Sequence, residues 1–237
     1  VYRRGERVRG VVISNPDNPL GRTYSYEDIS GLIEFCTRND LHLISDEVYA
    51  NTVFDAPEFI SAAKVALDKS ASDRVHTVWA FSKDFCLSGF RVGVTQSRNA
   101  DVIEYASALS RFTSVPTEVQ RLMLSILQDK SFVSEFVTSH KSRLRNAYRA
   151  TTKALDSIGL PFASANCGLF VWAKFASTAD EERAAFKRLC ENGVYVMPGS
   201  MFRTEEKGWF RLVYAHNEKD LKVGLDRLTS THFYLNR

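Results

Sequence analysis

The sequence predicts an α/β fold: a mostly parallel sheet between helices, followed by a smaller C-terminal α/β domain. Three observations predict it. Short apolar runs alternate with helical periods in the first part of the chain, giving strand–helix–strand grammar with short links. Polar segments sit where those runs end, which is where open α/β sheets place their ligands. Past Asn99 the texture changes to long helical periods and then to a second, shorter alternation.

Val8–Ser14 (VRGVVIS) is an apolar run stopped by Asn15-Pro16, and reads as a buried strand ending in a turn. Ser25 with Asp28 has the spacing of a helix start, and Ile29, Leu32, Ile33, Phe35 and Cys36 supply an apolar face. Leu41–Ser45, Val75–Phe81 and Phe90–Thr95 are further strand-like runs. Val119, Leu122, Met123, Ile126 and Leu127 follow the i, i+3, i+4, i+7, i+8 pattern of a helix. A longer helix is expected from Phe132 to about Ser157, where Gly159 and Pro161 stop it. Strands are then expected at Leu169–Lys174, Val194–Met197 and Trp209–Tyr214, with helices over Arg183–Glu191 and from Asn217 onward. Asp220 is placed for capping, and Leu221, Leu225 and Leu228 face inward. The domain boundary falls inside the helical region, dividing the chain into residues 1–120 and 121–237.

Composition narrows the function classes. The 237 residues are 44% apolar, enough for one large core or two modest ones, and 25% charged. A formal net charge of +3, spread along the chain, does not argue for nucleic acid. No apolar run approaches the ~20 residues of a membrane span, and no signal-peptide pattern opens the chain. Cys36, Cys86, Cys167 and Cys190 are far apart without CxxC spacing, which fits reduced thiols in the cytoplasm. The histidines lack ligand spacing, so no metal is expected. Neither GxGxxG nor GxxxxGK[ST] occurs, which sets a nucleotide-binding domain aside.

Four segments at strand ends carry chemistry: NPDNPLG (Asn15–Gly21), SDEVY (Ser45–Tyr49), SKD (Ser82–Asp84) and GFR (Gly89–Arg91). Each alone has a bland reading as a turn, a helix cap or a solvated loop. With CGLFVW, VMPGSMF and GWFRLVYA downstream, their order resembles the class I and II aminotransferases of fold type I. Within these, the branch resembling 1-aminocyclopropane-1-carboxylate (ACC) synthases is the more similar. The resemblance covers nearly the whole chain and implies pyridoxal 5'-phosphate as cofactor.

By that resemblance Lys83 is the catalytic lysine, which forms a Schiff base with the cofactor and afterwards shuttles the substrate's α-proton. Asp46 would keep the pyridine nitrogen protonated. Glu47 beside it should point away, because neighbours on an extended segment alternate faces. Asn18 and Tyr49 would hold the phenolic oxygen, while Asn15 reads as a turn former. Arg91 and Ser82 would hold the phosphate. Ala80 stands where many relatives carry another hydroxyl residue, and Cys86 and Ser88 replace what are often Gly and Pro. Arg211 would grip the substrate carboxylate, and Gly168 would permit close backbone approach near it.

The resemblance further implies an amino-acid substrate, a homodimeric full-length protein, and a site in the crevice between two lobes. It also implies that residues upstream of NPDNPLG supply a phosphate-cradling helix N-terminus and a ring stacked on the pyridine. The chain opens on Val1 and does not contain that region, so by itself it should bind the cofactor poorly. Three readings are expected: an aminotransferase, a lyase acting on S-adenosylmethionine or a related amino acid, and a truncated non-catalytic homologue.

Overall fold

The computed structural model describes residues 7–231. Contact density divides the chain into two compact units. Of the described residues, the first takes 7–17 and 23–141, the second 18–22 and 142–231. The expected division after residue 120 differs from this one. The difference arises because residues 117–136 pack on the first unit: Met123 is buried with Phe81 and Phe85, and Val119, Ile126, Val133 and Phe136 line the same cluster.

The first unit holds a four-stranded sheet in the order β1–β2–β3–β4. β1 (Gly10–Ser14), β2 (His42–Asp46) and β3 (Val75–Ala80) run parallel, and β4 (Gly93–Gln96) returns antiparallel beside β3. The β1–β2 crossover is α1 (Tyr26–Arg38), which opens on a capping box. Asp28 N–H donates to Ser25 Oγ, and the Asp28 carboxylate accepts from Ser25 N–H. α2 (Ala62–Asp68) has no counterpart among the sequence expectations. Both helices bury their apolar faces against the sheet in one cluster, with Ile29, Ile33, Leu43, Ala62 and Val65 at 0–2% exposure. α3 (Phe81–Asp84) follows β3 directly, and α4 (Ala100–Ser110), α5 (Thr117–Gln128) and α6 (Lys130–Ser157) follow β4. The expected strand over Phe90–Thr95 begins later, because Ser88–Phe90 form a 3-10 turn and Arg91 is left-handed at φ 57°.

The second unit has a three-stranded antiparallel sheet, β5–β7–β6, from β5 (Phe170–Lys174), β6 (Met197–Pro198) and β7 (Trp209–Val213). α7 (Ala179–Glu191) and α8 (Glu218–Ser230) complete it. The strand expected at Val194–Met197 shrinks because Val194 N–H closes the end of α7 on Leu189 O at 2.8 Å. Phe210, Val171, Leu189, Leu155 and Tyr214 are fully buried in this unit. Among the described residues no helix is long and apolar enough to cross a membrane.

Candidate active site

In the first unit the predicted residues leave the sheet at one end. Asp46 ends β2 and pairs in register with Val78 of parallel β3, two residues before that strand ends. Leu43, Ser45 and Glu47 are buried, while His42, Ile44 and Asp46 are partly exposed. That is the alternation expected of extended chain. Asp46 Oδ1 accepts from Val48 N–H at 3.2 Å, which tightens the turn. Tyr49 follows, 7% exposed, at the entry to a 3-10 turn over Ala50–Thr52. Glu47 serves the fold: its carboxylate accepts from Ala62 N–H at 2.9 Å and Ser61 Oγ at 2.8 Å, at the start of α2. Burial raises the Glu47 pKa, and these donors oppose the rise.

Ser82 and Lys83 lie on α3, in the first turn after β3, both half-buried. The turn is anchored from below by Phe81 and Phe85, whose rings sit 5.4 Å apart. Arg91 leads into β4, whose Gly93 pairs with Ala80, so it enters from the same end of the sheet. Its guanidinium is exposed and donates to Ser88 O at 3.0 Å. Asp46, Tyr49, Ser82, Lys83 and Arg91 thus lie at one end of the sheet by topology. Asn15 is fully buried and holds two chain segments, donating to Ile60 O at 3.0 Å and accepting from Tyr24 N–H at 3.1 Å.

In the second unit Asn18 and Arg211 are hydrogen-bonded. Arg211 sits in the middle of β7, opposite Trp172 and Met197. Its Nη1 donates to Asn18 Oδ1 at 2.9 Å and its Nη2 approaches Met197 Sδ. The guanidinium carbon lies 5.1 Å from the centre of the Phe170 ring and 4.8 Å from that of Phe202. Two aromatic faces stabilise the cation. Since Asn18 Oδ1 accepts from Arg211, its amide nitrogen is the end left to donate to an anion. The chain near Asn18 is fixed where Gly21 O accepts from Asn166 N–H and Cys167 N–H. A Cβ on Gly21 would come within 2.8 Å of Ala165 Cβ and Cys167 O, which explains the glycine. Gly168, at φ 84°, forms the turn into β5, and its carbonyl accepts from Tyr214 Oη at 2.8 Å.

Sequence reasoning missed Phe202 and Phe170 as flanks of the arginine. Aromatic residues in VMPGSMF and CGLFVW were visible, but nothing in their spacing ties them to Arg211. It also missed Asp84, which is fully buried although SKD reads as a surface tripeptide.

Residues 2–228 match the family model for aminotransferase class I and II. The chain is 38% identical over 252 residues to 1-aminocyclopropane-1-carboxylate synthase 4 of Oryza sativa subsp. japonica, an alignment covering 95% of this chain and 51% of that protein. It is 37% identical over 234 residues to 1-aminocyclopropane-1-carboxylate synthase 8 of Arabidopsis thaliana, covering 94% and 50%. A double mutant of Thermus thermophilus aspartate aminotransferase superposes with a TM-score of 0.85 at 27% identity, over 98% of this chain and 59% of that one. The same enzyme solved with maleate gives 0.84 at 27% identity, again over 98% and 59%. The chain spans about half the length of the curated relatives it matches.

The donor set suits pyridoxal phosphate. Lys83 offers an amine that no described residue ties up in a hydrogen bond or ion pair. Asp46 commits one oxygen to Val48 and leaves the other for a protonated ring nitrogen. Within the first unit Tyr49 supplies a donor for an oxygen anion, and Arg91 with Ser82 a cation and a hydroxyl for a phosphate.

Proposed function

The chain belongs to the class I and II aminotransferase family, and from that premise we propose that it carries the lysine-bearing part of a pyridoxal-phosphate enzyme acting on an amino acid. The observation that carries this reading is Lys83, in the first turn after β3, beside the end of β2 where Asp46 and Tyr49 emerge.

When bound, the cofactor supplies an electron sink that weakens the bonds at the substrate's α-carbon. The chain's own residues do the rest. Lys83 Nζ would hold the cofactor and, when not bonded to it, would move the substrate's α-proton. The Asp46 carboxylate keeps a proton on the ring nitrogen by offering it a nearby negative charge. Tyr49 Oη and Asn18 Nδ2 donate to the phenolic oxygen. Arg91 and Ser82 hold the phosphate, and Arg211 grips the substrate carboxylate through its guanidinium fork.

Two chemistries share these residues. Transfer of the amino group to a 2-oxo acid is supported by likeness to the Thermus aspartate aminotransferase. Lyase chemistry on S-adenosylmethionine or a related amino acid is equally supported, by the ACC synthases. The full-length protein is read as a cytoplasmic homodimer. The four free cysteines of this chain, two of them exposed, fit a reducing compartment.

The test is covalent capture. Pyridoxal phosphate added to the chain and reduced with borohydride should label Lys83 by peptide mapping and leave Lys83→Ala unlabelled at that peptide. Labelling spread evenly over surface lysines would refute the assignment. Product analysis with S-adenosylmethionine against a 2-oxo acid panel separates the two chemistries.

A further inference from the structure

Asp84 follows the lysine directly, yet its side chain is fully buried. One oxygen, Oδ2, accepts three hydrogen bonds: from Trp79 Nε1 at 2.7 Å, Asn51 N–H at 3.1 Å and Asn51 Nδ2 at 3.0 Å. The other, Oδ1, is buried and accepts none. The donors come from two places. Trp79 is the penultimate residue of β3, and Asn51 lies in the 3-10 turn entered at Tyr49. Around this carboxylate, Trp79 packs edge-on to Phe81 at 4.8 Å and Phe85 at 6.1 Å. Lys141 on α6 is the cation whose field reaches it, and the Cys86 thiol is the other titratable group it influences.

A buried carboxyl with one oxygen left bare is an expensive way to join two turns. The apolar cluster beneath α3 already anchors the helix through Phe81 and Phe85. What Asp84 adds is a tie between two turns that each present a residue of the candidate site. From the Lys83 turn it reaches sideways to the Tyr49 turn, and the Trp79 indole fixes the angle of approach. The geometry points to Asp84 as a positioning residue that locks the Lys83 turn to the Tyr49–Asn51 turn, setting the placement of the lysine amine against the tyrosine phenol. This rests on reading Lys83 as the cofactor lysine.

Asp84→Ala removes the acceptor, and Asp84→Asn keeps it in the same place. Three readings on the chain decide. The first is exchange of the Asn51 amide, which should quicken about tenfold or more in Asp84→Ala and stay near wild type in Asp84→Asn. The second is reductive methylation of Lys83 by formaldehyde relative to exposed Lys64, which should change by about threefold or more in Asp84→Ala alone. The third is borohydride-trapped capture of pyridoxal phosphate at Lys83. Rescue of the first two by Asp84→Asn supports the proposal whether or not wild type captures the cofactor; lack of capture by wild type would count against the cofactor reading only. Unchanged Lys83 methylation in a folded Asp84→Ala overturns it, even if Asn51 exchange rises, because the tie would then be structural. If Asp84→Ala does not fold, Asp84→Asn still decides: altered Asn51 exchange or Lys83 methylation in that folded variant overturns the proposal, and wild-type values for both support it.

Discussion

Arg211 has its guanidinium against two rings and hydrogen-bonded to one amide oxygen. Lysine would keep the charge but lose the fork. Arg211→Lys is therefore expected to weaken affinity for an amino-acid or dicarboxylate ligand by about 2 kcal/mol, near thirtyfold. Calorimetry with maleate, the ligand carried by the Thermus relative, reads this, and an unchanged affinity would remove Arg211 from the substrate grip. Asp84 gives a prediction of the opposite kind, about pH. Burial pushes its pKa up to about 6, while its hydrogen bonds to Trp79 and Asn51 and the field of Lys141 hold it lower than burial alone would. With a folded pKa above the unfolded one, the native state binds the proton more tightly, so stability falls as pH rises from about 4 through 6. The upper bound on that loss is about 3 kcal/mol. Denaturant titrations should therefore show wild type losing stability relative to Asp84→Asn between pH 4 and 7, and parallel curves would refute the shift. These residues differ in how visible they were. Lys83, Asp46, Arg91 and Arg211 stand in motifs whose order is one-dimensional. Asp84 does not, since its burial depends on Trp79 and Asn51 converging on it, and no local pattern encodes that.

At the scale of elements, local signals carried most of what the sequence disclosed. Ser25 with Asp28 announced α1, and Asn217 caps α8 by accepting from Asp220 N–H at 2.9 Å. α2 escaped because it is short and its start is held from afar, by Glu47. The strand expected over Val194–Met197 shortened because backbone at its start was already committed to closing α7. The first loss comes from a tertiary hydrogen bond, the second from the local one that closes a helix end. α7 offers a test that separates a local cap from a tertiary one. Thr178 Oγ1 accepts from Glu181 N–H at 3.3 Å in an exposed capping box. One turn on, Glu182 is buried and accepts from Gly208 N–H at 2.7 Å and Ser200 N–H at 3.3 Å, fastening the loop before β7 to the helix. Thr178→Ala should cost about 1 kcal/mol. Glu182→Ala strands two backbone donors and should cost about 2 kcal/mol or more. Equal costs in urea titrations would show that the Glu182 contacts add nothing beyond an ordinary cap. Gly208 admits no side chain, because a Cβ there would fall 1.7 Å from Ala176 O.

For the molecule as a whole, the exposed apolar surface is the feature with consequences in solution. Unit one carries Tyr105 at 69% exposure, Phe112 at 89% and Leu124 at 54% on and between α4 and α5, with Ile103, Leu109, Leu122 and Leu127 also exposed. Among the described residues β1 pairs only with β2 and β4 only with β3, so both sheet margins present backbone donors and acceptors. Val12 on β1 and Val94 on β4 add apolar side chains beside those margins. Singly exposed apolar residues are ordinary; a run of them on consecutive helices together with open strand edges favours association. The formal charge of +3 is too small to oppose it. The chain by itself is therefore expected to self-associate with rising concentration in sedimentation velocity. Added salt should strengthen the association or leave it unchanged, since apolar burial drives it. Glutamate at Tyr105 and Phe112 together should move the chain toward monomer without altering its circular dichroism. If instead salt disperses the associated species, charge pairing holds them together and the apolar helices are not the contact. If the double variant associates as strongly as wild type, the open strand margins become the surface to block next, by proline at Val12 or Val94.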